Sequence, residues 1–260
     1  MSFLARFRKT LDPVQADYRV PTGMLVYAIG DIHGCEMLFA ELLGQIAEDR
    51  QTRRHDQCVL ILLGDLVDRG PDSAGVVERA IGLQSEFDRV HHIIGNHEEC
   101  MLAALSGDIR ALRYFVRIGG DATVRSYLRD DSLYERLEFN ELAQVFRERV
   151  PQAHVDFLGR GEDMVLYGDY AFVHAGVREN VPLHKQRTSD LRWIRENFLG
   201  SDADHGAMIV HGHTISLEVE ELPNRIGIDT GAYLSDRLTA ICLYGAERRF
   251  FSTRSDTAPE

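Results

Sequence analysis

Aspartate and histidine stand one residue apart in a glycine-flanked segment near the start of the chain, Gly-Asp-x-His-Gly at residues 30–34. Side chains two residues apart in an extended segment point to the same side, so Asp31 and His33 can both reach one metal ion. Carboxylate and imidazole ligands without a thiolate suit hard or borderline divalent ions such as manganese, iron or zinc. The segment therefore predicts part of a metal site for such an ion.

Further possible ligands stand at the ends of later apolar runs. Asp65 follows the next run, where one carboxylate can bridge two ions held about 3.5–4 Å apart. Asn96, His174 and His213 end three other runs and can complete a second ion. Any one of these residues alone is more often a turn former or a hydrogen-bonded structural residue. The prediction of a two-ion site therefore depends on the whole set.

The apolar runs themselves predict buried β-strands, because they are short, β-branched or aliphatic, and end abruptly in Gly, Asp, Asn or His. They cover residues 24–29, 58–63, 90–94, 164–167, 170–173, 207–210 and 225–228, and a closing hairpin is predicted at 239–244 and 248–252. Apolar spacing of three and four predicts helices at 36–49 and 73–83. The resulting β-α-β-α-β order favours a parallel sheet covered by helices, with ligands beyond the carboxyl ends of the strands.

The middle of the chain, residues 99–158, has no strand signal. Amphipathic stretches at 108–117, 121–128 and 141–146 predict helices there. Because this region interrupts the strands between two site loops, we predict a helical insertion over the edge of the site. The length of 260 residues fits a single domain. Its core is predicted at about 24–253, followed by a disordered tail at 254–260.

Charge and composition exclude several classes of protein. The 29 basic and 41 acidic side chains give a formal charge of −12, which disfavours binding to nucleic acid or anionic lipid. The four cysteines are widely spaced without a CxxC pair, so neither a zinc ribbon nor a redox dithiol is predicted. No apolar stretch approaches the roughly 20 residues of a membrane span, and the start lacks the apolar core of a signal peptide. We therefore expect a cytoplasmic protein that contacts no membrane.

Five short segments together resemble the calcineurin-like metallophosphoesterase superfamily, in particular its phosphoprotein phosphatase branch of phage-lambda-type and bacterial enzymes. They are Gly-Asp-x-His-Gly, Gly-Asp-x-x-Asp-Arg-Gly, Gly-Asn-His-Glu, His-Ala-Gly and Gly-His-Thr, in this order. The resemblance extends from Tyr27 to about Ala240. It implies an α/β fold, a β-sandwich flanked by helices, with a binuclear metal centre between the loop edges of the two sheets.

The resemblance also implies a role for each matched residue. The first ion is expected on Asp31, His33 and Asp65, and the second on Asp65, Asn96, His174 and His213, with manganese the first expectation for both. His97 matches the general acid that protonates the leaving alkoxide, and Asp68 matches the carboxylate that orients its ring. A hydroxide bridging two ions is well suited to attack phosphorus, while the ions absorb charge on the phosphoryl oxygens.

Two arginines are the expected phosphate ligands, because a planar guanidinium grips two oxygens and stays charged near cations. Arg69 lies within the second matched segment. Arg195 ends a Trp-x-Arg element that resembles one in lambda-type phosphatases, and the nearby Arg192 is its competitor. We interpret His211 as a structural residue, and Tyr233 fits a pocket wall and a packing role equally well.

The resemblance implies a protein serine/threonine phosphatase whose substrates are phosphoproteins or phosphopeptides. A dinucleoside polyphosphate hydrolase of the same superfamily is the alternative, since such enzymes typically have Asp after Gly-Asn-His where this chain has Glu98. The segment at 118–121 resembles a Gly-Gly turn beside the cleft of bacterial phosphatases. A binding protein with an inactive phosphatase fold would lack a ligand or His97, and this sequence retains them all.

Overall fold

Two β-sheets with helices on their outer sides make up the described part of the chain. The computed structural model describes residues 18–253, so the tail predicted at 254–260 lies outside the described residues. The strands are β1 (Met24–Ile29), β2 (Gln57–Leu62), β3 (Arg89–His92), β4 (Met164–Tyr167), β5 (Tyr170–Val173), β6 (Met208–His211), β7 (Glu220–Glu221), β8 (Arg225–Gly227), β9 (Thr239–Tyr244) and β10 (Glu247–Ser252). The helices are α1 (Glu36–Gln51), α2 (Ser73–Gly82), α3 (Asn96–Leu105), α4 (Ile109–Phe115), α5 (Asp121–Leu128), α6 (Asp131–Arg136), α7 (Phe139–Arg149), α8 (Gln152–Gly159), α9 (Thr188–Trp193), α10 (Glu196–Leu199) and α11 (Ala232–Ser235).

The first sheet has the strand order β10-β9-β1-β2-β3. Its strands β1, β2 and β3 are parallel, because α1 and α2 return the chain to the same end of the sheet each time. The hairpin of β9 and β10 adds two strands beside β1, with β9 antiparallel to it. The carboxyl ends of the three parallel strands, and the polar loops that follow them, therefore lie at one edge.

The second sheet has the order β4-β5-β6-β8-β7. Strands β5, β6 and β8 are parallel, and β4 and β7 pair antiparallel at the two edges. The chain continues from β5 into His174, from β6 into residues 212–214, and from β8 towards Asp229. This sheet thus contributes a second set of polar loops.

Alternating side chains of β1 pack against different layers. Val26 and Ala28 lie in the core between the two sheets, together with Phe172 of β5. Tyr27 points to the other side and packs in the core that contains Phe39 of α1. This period of two buries both faces of the strand. Helices α9 and α10 cover the outer face of the second sheet, so the α/β sandwich flanked by helices is confirmed.

The predicted helical insertion consists of α3 to α8 between β3 and β4. Its apolar side chains Phe115, Val124 and Phe146 are fully buried in the same core as residues of α1 and α2. Helix α5 packs against α2. The insertion is therefore an extension of the helical layer on the first sheet, adjacent to the site loops.

The predicted strand boundaries agree with the structure to within two residues. The helices α3, α6 and α8 to α11, together with the two-residue strand β7, were not predicted. Apart from the ten-residue α3, which begins inside the Gly-Asn-His-Glu segment, these helices are only four to eight residues long, and such short elements show no clear period in the sequence. Among residues 18–253, no helix combines the length and apolar character needed to cross a bilayer.

Candidate metal centre

Hydrogen bonds hold the loops of both sheets together. The backbone N–H groups of Ile32 and His33 donate to the Asp65 carbonyl at 3.1 and 2.8 Å, which fixes the loop after β1 against the loop after β2. The backbone N–H of His213, from the second sheet, donates to the two oxygens of the Asp31 carboxylate at 3.1 and 3.0 Å. Residues predicted from distant segments therefore meet between the loop edges of the sheets.

Backbone strain is concentrated in these loops. Eight described non-glycine residues have a positive φ, and five of them are predicted site residues: His33, Asp65, Asp68, Arg69 and His213. This left-handed conformation costs about 1–3 kcal/mol for a residue with a side chain, and it persists where the surroundings impose it. The rest of the fold thus holds these five residues in a strained backbone conformation, which places their side chains in the site.

Four predicted ligands converge around Nε2 of His174. The Nδ1–H of His174 donates to the Leu63 carbonyl at 2.9 Å, which leaves Nε2 as the ligand atom. Nε2 lies 3.0 Å from Asn96 Oδ1, 3.1 Å from His213 Nδ1 and 3.4 Å from Asp65 Oδ1. These are all atoms with lone pairs, and ligands bound at about 2.0–2.2 Å to one divalent ion lie about 3 Å apart. The donor set therefore fits the second predicted ion.

The first group of ligands, named after the first predicted ion, lies on the other side of Asp65 from this second group. The Nδ1–H of His33 donates to the Val67 carbonyl at 2.8 Å. Its Nε2 therefore faces Asp65 Oδ2, at 3.6 Å. Asp65 thus directs one oxygen to each group, as a bridging carboxylate must. His97 belongs to the same group as His33 and Asp65, whose ligand atoms lie within 4.8 Å of one another.

Asp31 is buried beside these groups but belongs to neither of them. Burial and the neighbouring Asp229 carboxylate raise the pKa of Asp31 well above its usual range. Asp65 behaves in the opposite way: burial opposes its charge, yet His174 and His97 hold its pKa well below the usual range. The centre therefore gathers acidic groups that a cation would stabilise.

The pKa values of the histidines are also set by burial and by the neighbouring carboxylates. Burial disfavours a proton on His174, but Asp65 outweighs it and raises the pKa of His174 to about 10, so a bound ion would take the place of the proton on Nε2. Burial lowers the pKa of His33 to about 3 and that of His213 to about 2. Neutral imidazoles are the form that binds metal, so His33 and His213 are ready to act as ligands at neutral pH.

His97 forms a close pair with Asp68. Its Nδ1 lies 2.5 Å from Asp68 Oδ2, so Nδ1 donates and Nε2 faces the metal groups. Nε2 accepts a hydrogen bond from Arg69 Nη2 at 3.1 Å and lies 3.9 Å from Asp65 Oδ2. A proton on Nε2 would displace this contact with Arg69. Burial opposes a charged ring, but Asp65 and Asp68 raise the pKa of His97. A raised pKa beside an oriented carboxylate suits a proton donor.

The structure separates the two candidates for the second phosphate ligand. Arg192 donates to Asp163 at 2.7 Å and to Glu99 at 3.4 Å, so carboxylates already occupy it. Arg195 is exposed, and its Nη1 lies 3.4 Å from the hydroxyl of Thr214, which follows His213. The geometry favours Arg195 for contact with an anion at the metal centre.

Tyr233 lies at the site and not in a separate packing layer. Its ring contacts the His33 ring at a centroid distance of 5.3 Å, and its hydroxyl accepts a hydrogen bond from Arg69 at 2.9 Å. His211, by contrast, packs edge-on against Phe198 at 5.0 Å and belongs to neither ligand group. These placements agree with a pocket wall for Tyr233 and a structural role for His211.

Glu98 has a role that the sequence interpretation missed. It is fully buried, and its carboxylate accepts backbone hydrogen bonds from Gly95, Asp65 and Leu66 at 2.7–2.8 Å and from Val67 at 3.3 Å. Glu98 is the third residue of α3 after its Gly95 N-cap, the position of a capping-box acid. That spacing could have revealed the role. Glu98 thus stabilises the loop of Asp65 and has no solvent-exposed surface.

Comparison with known proteins places these features in a wider context. Residues 24–238 match the family described as calcineurin-like phosphoesterase. The chain is 27% identical over 265 residues to the symmetrical bis(5'-nucleosyl)-tetraphosphatase of Nitrosomonas europaea, covering 85% of this chain and 95% of that protein. It is 30% identical over 214 residues to serine/threonine-protein phosphatase 1 of Salmonella typhimurium, covering 82% and 89%.

A solved structure of a putative diadenosine tetraphosphatase has a similar fold. It superimposes with a TM-score of 0.63 and 20% sequence identity, covering 90% of this chain and 98% of the other. At this identity the likeness concerns the fold alone. Both substrate classes predicted from the sequence thus occur among the relatives.

Proposed function

Since this chain belongs to the calcineurin-like phosphoesterase family, we propose that it uses two divalent ions to hydrolyse dinucleoside polyphosphates such as diadenosine tetraphosphate. The observation that carries this choice of substrate is the similarity to the symmetrical tetraphosphatase, which extends over 95% of that protein. The protein phosphatase expected from the sequence becomes the second candidate. Its sequence argument rested on Glu98 and on the Gly-Gly segment at 118–121, and the carboxylate of Glu98 accepts hydrogen bonds from the backbone of the Asp65 loop.

The proposed centre assigns the ions to the two groups around Asp65. His33, together with Asp31, which is buried beside the groups but is a member of neither, would hold the first ion. Asn96, His174 and His213 would hold the second, with Asp65 shared. Bound ions supply Lewis acidity and activate water for attack on phosphorus. Manganese remains the first expectation, and iron or zinc fit the same oxygen and nitrogen donors.

The chain's own residues would handle the leaving group. As an oxygen from water bonds to phosphorus, the bond between phosphorus and the leaving oxygen breaks. His97 gives its Nε2 proton to that oxygen, and the proton of the attacking water passes to solvent. Asp68 holds Nδ1 at 2.5 Å and so keeps Nε2 facing the centre. This orientation is what general acid catalysis requires.

Two arginines flank the centre from different sides. Arg69 lies beside His97 and over the ring of Tyr233, which packs on His33 of the first group. Arg195 lies beside Thr214, which follows His213 of the second group. Both guanidinium groups could contact phosphoryl oxygens of a substrate bound at the ions. This arrangement fits a single phosphoryl group as well as a chain of phosphates.

A direct competition between substrates tests the proposal. Manganese-loaded protein should hydrolyse diadenosine tetraphosphate with a kcat/KM about 100-fold or more above that for a phosphothreonine peptide. The reason is that polar groups of a site that fits the dinucleotide would be left without partners when the peptide binds. Nucleotide analysis of the products would show whether the chain is cut into two ADP or into AMP and ATP. Asp65→Asn should be inactive on both substrates. A higher kcat/KM for the phosphothreonine peptide than for diadenosine tetraphosphate would refute the proposal.

A phosphoprotein phosphatase is the second candidate because of the proton donor. A serine or threonine alkoxide must be protonated to leave, whereas ADP leaves as a stable anion. The close His97–Asp68 pair therefore suits a phosphomonoester of an alcohol, and the Salmonella phosphatase is a relative over 89% of its length. Faster hydrolysis of the phosphothreonine peptide would support this candidate.

A further inference from the structure

The carboxylate of Asp68 has a second partner besides His97. While Oδ2 contacts His97, Oδ1 accepts a hydrogen bond from the hydroxyl of Thr123 at 2.6 Å. Thr123 is on α5 of the helical insertion, 55 residues further along the chain. Both Asp68 and Thr123 are fully buried. In this low-dielectric surrounding a short hydrogen bond to a carboxylate is strong.

The direction of each hydrogen bond around Thr123 follows from its single proton. A carboxylate only accepts, so the Thr123 hydroxyl proton goes to Asp68. The two lone pairs of Thr123 then accept from the Asp68 backbone N–H at 2.8 Å and from the Ser73 hydroxyl at 2.8 Å. Every donor and acceptor of this hydroxyl is used, so Asp68 is held by both its backbone and its side chain.

The insertion supports the neighbouring residue as well. Asp68 and Arg69 have φ values of 77° and 68°, a conformation that is unfavourable for both. The Arg69 backbone N–H donates to the Gly119 carbonyl at 2.9 Å. Gly119 and Thr123 therefore hold this strained pair from one side, four residues apart on the insertion.

We propose that Thr123 is a positioning residue for proton transfer. By fixing Asp68 it fixes the ring of His97, so that Nε2 points at the leaving oxygen. The proposal rests on the role of His97 as proton donor, but not on the choice between dinucleotide and phosphoprotein substrates. It gives the helical insertion a part in the reaction, because α5 supplies the group that orients the donor.

The test uses two aryl phosphates that differ in their need for a proton. The p-nitrophenolate of p-nitrophenyl phosphate leaves readily as an anion, whereas the phenolate of phenyl phosphate has a conjugate acid with a pKa of about 10, like tyrosine. Thr123→Val should lower kcat for phenyl phosphate by about 10- to 100-fold and for p-nitrophenyl phosphate by less than about 3-fold, with KM little changed. Thr123→Ser, which retains the hydroxyl, should restore both.

Tyr127→Phe is the matched control. Tyr127 lies one turn further on α5 and also uses a buried hydroxyl, which contacts His154 Nδ1 at 2.8 Å and does not touch Asp68. This variant should keep both activities. His97→Asn should show the same dependence on the leaving group as Thr123→Val, and adding Thr123→Val to it should cause little further loss.

A signal that needs no substrate provides the second measurement. In zinc-loaded protein, which is diamagnetic, the Nδ1 proton of His97 should give a far-downfield NMR signal that is lost in His97→Asn. The signal should shift or broaden in Thr123→Val and remain in Thr123→Ser. An unchanged signal, or equal loss of activity on both aryl phosphates together with loss of bound metal, would overturn the positioning role. If His97→Asn itself lacks leaving-group dependence, the assignment of the proton donor has failed instead.

Discussion

His97 has surroundings that suit two different roles. Its Nδ1 is paired with Asp68 at 2.5 Å, as in a proton donor, yet it also lies with His33 and Asp65 in a group that could hold a metal ion. The pairing with Asp68 fits the donor, and metal-binding histidines also pair their other ring nitrogen with a carboxylate. Metal binding and turnover therefore need to be separated by experiment.

We expect His97→Asn to keep both ions and to lose about 10²- to 10⁴-fold in kcat on substrates with a poor leaving group, the usual contribution of general acid catalysis. Metal analysis of the dialysed protein and steady-state kinetics give the two quantities. His91→Asn, at a histidine paired with Glu162 and Tyr167, is the control and should change neither. Loss of one ion from His97→Asn would show that this residue is a ligand.

Glu98 follows His97 and the predicted ligand Asn96 in the chain, and its carboxylate is occupied by the backbone of the Asp65 loop. Its four backbone hydrogen bonds need the full length of the side chain. We expect Glu98→Asp to leave part of them unmade and to lower the free energy of unfolding by about 1–3 kcal/mol. The ratio of dinucleotide to phosphopeptide hydrolysis should stay the same.

Denaturant unfolding and the two kcat/KM values test this pair of expectations. Glu99→Asp is the neighbouring control, because Glu99 has a partly exposed side chain that contacts Arg192 and Trp193 at the surface. It should leave stability nearly unchanged. A shift of substrate preference towards the dinucleotide in Glu98→Asp would restore Glu98 as a determinant of specificity.

At the scale of elements, the sequence predicted the strands and helices whose apolar residues form a clear run or a clear repeat. The strands β1, β4, β5 and β9 and the helix α5 have the predicted boundaries, because their apolar runs end in turn-forming residues. The helices α3, α6 and α8 to α11 were not predicted, and all of them except α3 have only four to eight residues, too few to show a clear period. A tertiary contact such as the stacking of Arg125 on Tyr134 of α6 is invisible in the local sequence.

The site was predictable to a similar extent. The ordered motifs gave the residues that converge around Asp65, because each motif ends a strand and parallel strands end at one edge. The choice of Arg195 over Arg192 depends on Asp163 and Glu99, which approach from other elements. The contact of Thr123 with Asp68 joins residues 55 apart, and no spacing rule connects them.

The turn between α4 and α5 offers a test of how the insertion supports the site. Gly119 has φ of 113°, and a Cβ atom there would lie 2.8 Å from Cγ of Arg69. We expect Gly119→Ala to destabilise the protein by about 1–3 kcal/mol through strain. Displacement of Arg69 should also raise KM for a phosphate substrate more than it lowers kcat.

Gly44→Ala is the matched control, because Gly44 is on α1 and a Cβ added there would have no neighbouring atom within 4 Å among the described residues. This change should stabilise the helix by up to about 1 kcal/mol without altering kinetics. Thermal unfolding and KM measurements on the two variants compare the same chemical change at both places. An unaltered KM in Gly119→Ala would mean that Arg69 does not bind the phosphate.

At the scale of the whole molecule, the metal centre joins the two sheets. Asp31, His33 and Asp65 come from loops of the first sheet, whereas His174 and His213 follow strands of the second. Ions bound between these loops would bind the folded state and not the unfolded chain. Metal binding should therefore stabilise the packing of one sheet on the other.

We expect saturating manganese to raise the Tm of the chelator-treated protein and to restore its phosphoesterase activity. A concentration 100 times Kd contributes about 2.7 kcal/mol for one site, which corresponds to a rise in Tm of about 5–10 °C for a protein of this size. Asp65→Asn should abolish the rise, since it removes the ligand shared by both ions. Its metal-free form should be less stable than the parent, because Asn cannot keep the buried ion pair with His174 that holds the pKa of Asp65 well below its usual range.

Asp202→Asn removes one carboxylate from an exposed position and should keep the full rise in Tm. The comparison distinguishes specific binding from a general effect of divalent ions on an acidic protein of charge −12. If Asp65→Asn and Asp202→Asn responded equally to manganese, the ions would be acting on the surface charge, and the sheets would be held together by their apolar core alone.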